Sequence, residues 1–405
     1  MTTDSIYTTF VWTKFAIRIK TVDIHVLTLG VKYIIFNAMS ISDFFKSLNK
    51  GLSKGKKKQP QATTATEAEI KQEAKAPEIP KIKEERFILC IDGGGMRGVI
   101  PVIYLQKLEE ELQKQGSKDS LDSYFDLIAG TSTGGLIALS LTCPSSFGYK
   151  LCDNAPQVKL EELLEQYETI GPTIFPASTF TYLRKLASTK YPETGIENLL
   201  KDWFADSLMG QATVPTLIMS YDLFEGQPVE IKSYEERSFL VRDAARATSA
   251  APTYFSPLIK DGRILVDGGV VANNPALYAY LEAKKLYPNC EKFHILSLST
   301  GGKSHTMTED ETKGLLSWVE QVSPMYSTAQ KCTADLVLRS MPDVNYLRID
   351  NPLELAIKMD DTSPSAINSM EEFAKRVTES REEEFKEFAA LLNKRTTAST
   401  TPKHQ

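Results

Sequence analysis

Histidine and cysteine are scarce in this chain: four and five among 405 residues. The cysteines (Cys90, Cys143, Cys152, Cys290, Cys332) are odd in number and scattered, and no two form a C-x-x-C pair. That pattern argues against a zinc knuckle or a disulfide framework and for reduced thiols in a cytosol-like compartment. Net charge is -5, so nothing global draws the chain to nucleic acid. The G-x-x-x-x-G-K-[ST] phosphate loop does not occur. No apolar run reaches the roughly 18 residues of a membrane-spanning helix. The apolar opening is broken by Lys14, Arg18, Lys20, Asp23 and Lys32, and it lacks the compact core and cleavage site of a secretory signal.

What the chain does contain is the composition of a globular protein, 42% apolar and 24% charged. Charge is unevenly spread: residues 1–60 hold ten Lys/Arg against three Asp/Glu, which leaves the remainder acidic. Met39 offers a second plausible start. After it, Ile41, Phe44, Phe45, Leu48 and Leu52 fall on one helical face, with lysines elsewhere. This is either a helix lying on an anionic membrane or a solvated basic leader. Residues 53–84 have little to bury and read as a linker.

From Phe87 the pattern becomes that of a fold. "FILCI" is an apolar strand, and residues 99–115 have helical spacing, with Pro101 tolerated in the first turn. "YFDLIAGTSTGGLIALSL" reads as strand, tight turn and helix. Residues 143–195 carry five prolines and read as an irregular insertion or lid, including the apolar "IGPTIFPASTFTYLRKL". "TVPTLIMSYDL" and "RILVDGGV" are expected strands with the helical "RDAARATSAA" between them; "NPALYAYLEAKKLY" is an expected helix and "KFHILSLSTG" a further strand. This alternation implies an α/β sheet with helices on both faces, followed after about residue 310 by a mainly helical stretch.

Gly93, Gly95 and Gly98 satisfy G-x-G-x-x-G, the spacing of a dinucleotide-binding turn. That reading needs a second strand ending in an acidic residue about 20 positions on, to hold the ribose. Here that stretch is "KQGSKDSLDS", the exit of a helix. The alternative is that the loop presents backbone N–H groups to a transient oxyanion, with Asp92 bracing it.

"GTSTG" at 130–134 is G-x-S-x-G after an expected strand and before an expected helix, the context of a nucleophile elbow. Gly130 and Gly134 permit a tight turn that lifts the Ser132 hydroxyl, and the helix start adds free N–H groups. Its base is less obvious. His25 and His404 lie in segments that read as outside the core, and His294 sits inside an apolar strand as a core residue. His305 stays a candidate. Asp267, at the end of a strand before Gly268 and Gly269, is either a carboxylate base at the same sheet edge or an ordinary Asp-Gly turn.

Taken in order, "DGGGMRG", "GTSTG" and "DGG", with "ATSAAPTYFSP" and "NNPA", resemble the patatin-like phospholipases over roughly residues 86–302. The resemblance implies a three-layer α/β/α sandwich with a mostly parallel central sheet, related to the α/β-hydrolases at the elbow. It implies lipid acyl hydrolysis by a Ser–Asp dyad, with Ser132 as nucleophile and Asp267 as general base. Gly93, Gly94 and Gly95 would then supply oxyanion donors, with Arg97 as a nearby cation. No cofactor and no metal are implied, and a dyad needs no histidine. The partner expected is a phospholipid membrane surface, with an activating protein or ligand left open, and the expected location is cytoplasmic and peripherally membrane-associated, with export by a signal-peptide-independent route left open. The expected organisation is a leader or over-extended start at 1–38 and a basic amphipathic segment and linker at 39–85. A catalytic domain follows at 86–310, then a mainly helical C-terminal part packed on it at 311–395 and a disordered tail at 396–405.

Overall fold

A computed structural model of the chain describes residues 84–144, 159–176, 189–302, 315–354 and 357–398. The expectations for residues 1–83 and for residues 399–405 of the tail, and for His25, His305, His404 and Cys152, lie outside the described residues, as does most of the apolar stretch after Pro176; residues 396–398, expected in the tail, close the last helix.

The first strand, β1 (Glu85–Ile91), is the keystone of the sheet, because five consecutive apolar residues bury both of its faces. It runs into a 3₁₀ turn at Gly95–Gly98 and helix α1 (Val99–Lys114). Then come β2 (Leu127–Thr131), α2 (Thr133–Thr142), α3 (Leu160–Ile174) and α4 (Glu193–Phe204). Strands β3 (Thr216–Asp222) and β4 (Gln227–Lys232) precede α5 (Val241–Thr248), β5 (Leu258–Lys260), β6 (Arg263–Asp267) and the single turn α6 (Gly269–Ala272). The described chain ends with α7 (Ala276–Leu286), β7 (Lys292–Leu298), α8 (Leu315–Ser340), β8 (Val344–Ile349), α9 (Pro364–Ser380) and α10 (Glu382–Ala398).

The sheet order is β5-β6-β3-β2-β1-β7-β8, with β4 on the other edge of β3. Strands β3, β2, β1, β7 and β8 are mutually parallel, and β4, β5 and β6 join by antiparallel pairing. Alternation along the strands sends side chains to two cores. Phe87, Leu89 and Ile91 of β1, Ile128 of β2 and Ile218 of β3 pack under α1, α2, α5, α9 and α10. Ile88, Cys90, Leu127, Ala129, Leu217 and Met219 face the opposite way, onto α7 and Leu338 of α8. The result is the expected three-layer sandwich with a mostly parallel sheet.

Three differences from the sequence reading have local causes. Residues 160–174 and 193–204 are helices, not irregular chain; Leu160, Leu163, Ile196, Leu199 and Leu200 bury one face of each, and Pro172 falls in a last turn. Strands β4 and β5 escaped notice because β4 opens on exposed Gln227 and Pro228 and β5 has only three residues. The largest difference is β8, which pairs in parallel with β7 from Phe293–Val344 to Leu298–Ile349. The boundary expected near residue 310 therefore falls inside a single compact unit that runs from Pro80 onward.

That late strand carries the group that anchors the glycine loop. Arg348 on β8 forks onto Asp92, with Nη1 to Oδ1 at 2.7 Å and Nη2 to Oδ2 at 2.6 Å. The two side chains are 1% and 0% exposed. Arg348 also donates to Ser297 and Asp350, and Lys331 stands 3.6 Å from Asp92. Losing one partner of such a pair strands a charge in the core, at a cost of about 3–5 kcal/mol. Arg348→Leu is expected to lose about that much in denaturant unfolding. The double variant Asp92→Asn/Arg348→Leu should recover a large part of it, because the fully buried carboxylate at position 92 is then no longer charged.

Candidate active site

Ser132 occupies the turn between β2 and α2 at φ 53°, ψ -126°, a region that L-residues rarely adopt. Holding a serine there costs on the order of 1–3 kcal/mol, and the surroundings over-determine it. Its N–H donates to Thr248 Oγ1 at 2.8 Å, and the Thr248 hydroxyl donates to the Met219 carbonyl at 2.6 Å. The Thr131 hydroxyl just before it donates to the Ala272 carbonyl at 2.7 Å. The flanking glycines are required by close approach. A Cβ on Gly130 would strike the Gly134 carbonyl, and one on Gly134 would strike the carbonyls of Ile91 and Asp92.

Asp267 reaches the same point from the opposite direction. Along one edge of β3, β2 ends with Thr131 opposite Met219, and β6 ends with Asp267 opposite Ser220. A parallel and an antiparallel strand thus meet end to end, which brings together two residues 135 positions apart. The Ser132 hydroxyl stands beside the Asp267 carboxylate, close enough to lower its pKa. Asp267 Oδ1 also accepts the Gly269 N–H at 2.7 Å, and the Asp267 N–H donates to the Ala250 carbonyl. Burial pushes the Asp267 carboxyl up to about 6, against the smaller opposing pull of Ser132 and of the Gly269 N–H. Such a group is ionised at neutral pH yet basic enough to take a proton.

The glycine loop leaves β1 directly beside this pair: a Cβ on Gly93 would lie 3.1 Å from the Ser132 Cβ. Gly93 itself does not fit the donor role expected of it. Its N–H is committed to the Asn273 carbonyl at 3.0 Å, and its own carbonyl accepts from Thr300 Oγ1 at 2.8 Å and Asn273 Nδ2 at 3.2 Å. The N–H groups of Gly94 and Gly95 have no such partner among the described residues. Gly95 adopts the left-handed conformation at φ 59°. Arg97, half-buried at the end of the loop, pairs with no carboxylate among the described residues. Burial lowers its pKa, while Tyr254 and Asp92 pull the other way.

Asn273, Thr248 and Thr300 hold the site and were not assigned a role from sequence. The first two lie in "NNPA" and "ATSAAPTYFSP", so the signal was in view, but a side chain that reaches a backbone atom 116 or 180 residues away leaves no local pattern. His294 is a core residue, 6% exposed, stacked on Phe87 and hydrogen-bonded to Glu85 and Asn345 at the far end of the sheet. Among the described residues no group of three or more His, Cys, Asp or Glu is placed to hold a metal, and no helix is long and apolar enough to cross a membrane.

A hydroxyl beside a basic carboxylate, with two glycine N–H groups on the adjoining loop that have no partner among the described residues, is a set suited to acyl transfer. Residues 89–280 match the family model of patatin-like phospholipase. Patatin-like protein 2 of Arabidopsis thaliana is 33% identical over 65% of this chain and 75% of its own. Patatin-16 of Solanum tuberosum is 30% identical over 78% of this chain and 91% of its own. VipD of Legionella pneumophila is a remote structural likeness, with a TM-score of 0.38 and 10% identity over 73% of this chain and 67% of its own. On the strength of the family model and the plant relatives, the chain belongs to the patatin-like phospholipase family.

Proposed function

We propose that the protein hydrolyses carboxylic esters of membrane glycerophospholipids, as a phospholipase A or lysophospholipase, through a Ser132–Asp267 dyad. Family membership supports the reaction class. The observation that carries the dyad is the strained Ser132 hydroxyl placed beside the desolvated Asp267 carboxylate, near enough to pull its pKa down.

In this mechanism Asp267 takes the hydroxyl proton as Ser132 Oγ attacks the ester carbonyl. The Gly94 and Gly95 N–H groups receive the negative charge that develops on the carbonyl oxygen. Arg97 adds a cation next to the hole or for the lipid phosphate. The tetrahedral intermediate collapses, the lysolipid alcohol leaves with the proton from Asp267, and an acyl-serine remains. Asp267 then activates a water, which releases the fatty acid and restores both residues. Every step uses groups of this chain, so fatty-acid release is expected to persist in chelator.

Ser132→Ala and Asp267→Asn are each expected to reduce fatty-acid release from a defined diacyl phospholipid by at least about 10³-fold, with the fold retained by circular dichroism. Near-full activity in either variant would sink the dyad. Run beside triglyceride, the same assay should favour the phospholipid; the reverse preference would identify a neutral-glyceride lipase.

Asp267 must be ionised to act, so kcat/KM should fall about tenfold per unit as pH drops below about 6. Stability moves the other way. The folded-state pKa of Asp267 lies above its ordinary 3.8, so its ionisation disfavours the folded state, and that penalty grows as pH rises from about 4 to about 6. Asp267→Asn lacks it. Its melting temperature should exceed that of the wild type at pH 7, and the margin should shrink by pH 4.

A further inference from the structure

The glycine loop has a second support, from a segment beyond the family-matched residues. Met96 donates its N–H to the Met359 carbonyl at 2.8 Å. A Cβ on Gly95 would strike that same carbonyl. Gly171 of α3 closes on the loop from the side, where a Cβ would meet Met96 Cε at 2.6 Å and Thr362 Cγ2 at 3.3 Å. Residues 357–362, between β8 and α9, therefore form a strap pressed against the loop at Gly95 and Met96.

The residue after Met359 fastens the strap. The Asp360 carboxylate accepts the Tyr191 hydroxyl at 2.7 Å and pairs with the Lys190 ammonium. Its side chain is 7% exposed. Burial alone would raise its pKa, but the bonds from Lys190 and Tyr191 outweigh burial and hold it below the usual carboxylate value. Lys190 and Tyr191 are themselves anchored by their N–H groups, which donate to the carbonyls of Thr253 and Tyr254 at 2.8 and 2.9 Å. The strap's other end is also fixed. Asp361 accepts from the Ser363 N–H at 3.0 Å, and Ser363 caps α9.

We propose that Asp360 is a positioning residue for the hydrolysis: by clasping Lys190 and Tyr191 it holds the Met359 carbonyl on Met96, and so sets the direction of the Gly94 and Gly95 N–H groups. This rests on the oxyanion role given to those glycines above. Donors misplaced by about 1 Å can cost on the order of a hundredfold in rate without weakening substrate binding.

The test compares wild type, Asp360→Ala and Tyr191→Phe on a soluble short-chain p-nitrophenyl ester, with deuterium uptake of the peptide covering residues 92–98. Asp360→Ala is expected to lower kcat about ten- to a hundredfold with KM within about twofold, and to speed uptake in that peptide. Tyr191→Phe keeps the Lys190 pair and should show a smaller loss of kcat at an unchanged melting temperature; it decides the matter if Asp360→Ala does not fold. Unchanged kcat in the folded variants, a loss confined to KM, or unaltered uptake at 92–98 would overturn the proposal. A wild type that does not cleave the ester, or a Ser132→Ala that does, would overturn the dyad instead, while the uptake measurement still judges the clasp.

Discussion

A carboxylate fully removed from water stands at the root of the glycine loop, and the arrangement above it depends on the guanidinium that neutralises it. Asp92 ends the first strand and Arg348 lies two strands away, at the edge of the same sheet. Their two-point contact sets the angle at which the chain leaves β1. Gly93 can then give its N–H to Asn273 and its carbonyl to Thr300, which leaves the next two glycines with N–H groups that have no partner among the described residues. An apolar pair in this place could stabilise the core as well, but it would not dictate that exit angle.

The site itself works against stability in two places. Ser132 is held in a conformation its side chain disfavours, and Asp267 is kept ionised where water cannot solvate it. In the proposed mechanism, the features that make them costly also make both groups reactive. The hydroxyl projects because the turn is strained, and the carboxylate seeks a proton because it is desolvated. The surrounding structure carries these costs through buried contacts: Thr248 under the Ser132 N–H, Gly269 on Asp267, and a β3 strand long enough to pair with β2 and β6 in succession.

Much of this was legible in one dimension because the chemistry is local at each point. A nucleophile elbow needs glycines two residues either side of the serine, since its strand and helix nearly touch; Gly130 and Gly134 make that visible. β1 and β2 were legible as short unbroken apolar runs, the signature of strands covered on both faces. The supports were not legible. Arg348, Asp360, Thr300 and Asn273 bond to residues 169 to 256 positions away. β8 resembles any short alternating run until β7 is seen beside it. Gly93 was misjudged for the same reason: the glycine spacing shows that an N–H is present, not that Asn273 already accepts it.

By itself, then, the sequence determined the α/β class, the family and the candidate reacting groups, because each depends on residue types at short, fixed spacings. Tertiary structure decided which of those groups meet. Ser132 and Asp267 adjoin only because two strands of opposite direction end against one another along β3. Gly94 and Gly95 are left as the proposed oxyanion donors because the Gly93 N–H is taken. Such outcomes depend on sheet register and on contacts between distant segments, and only the closing of the sheet assigns partners to them.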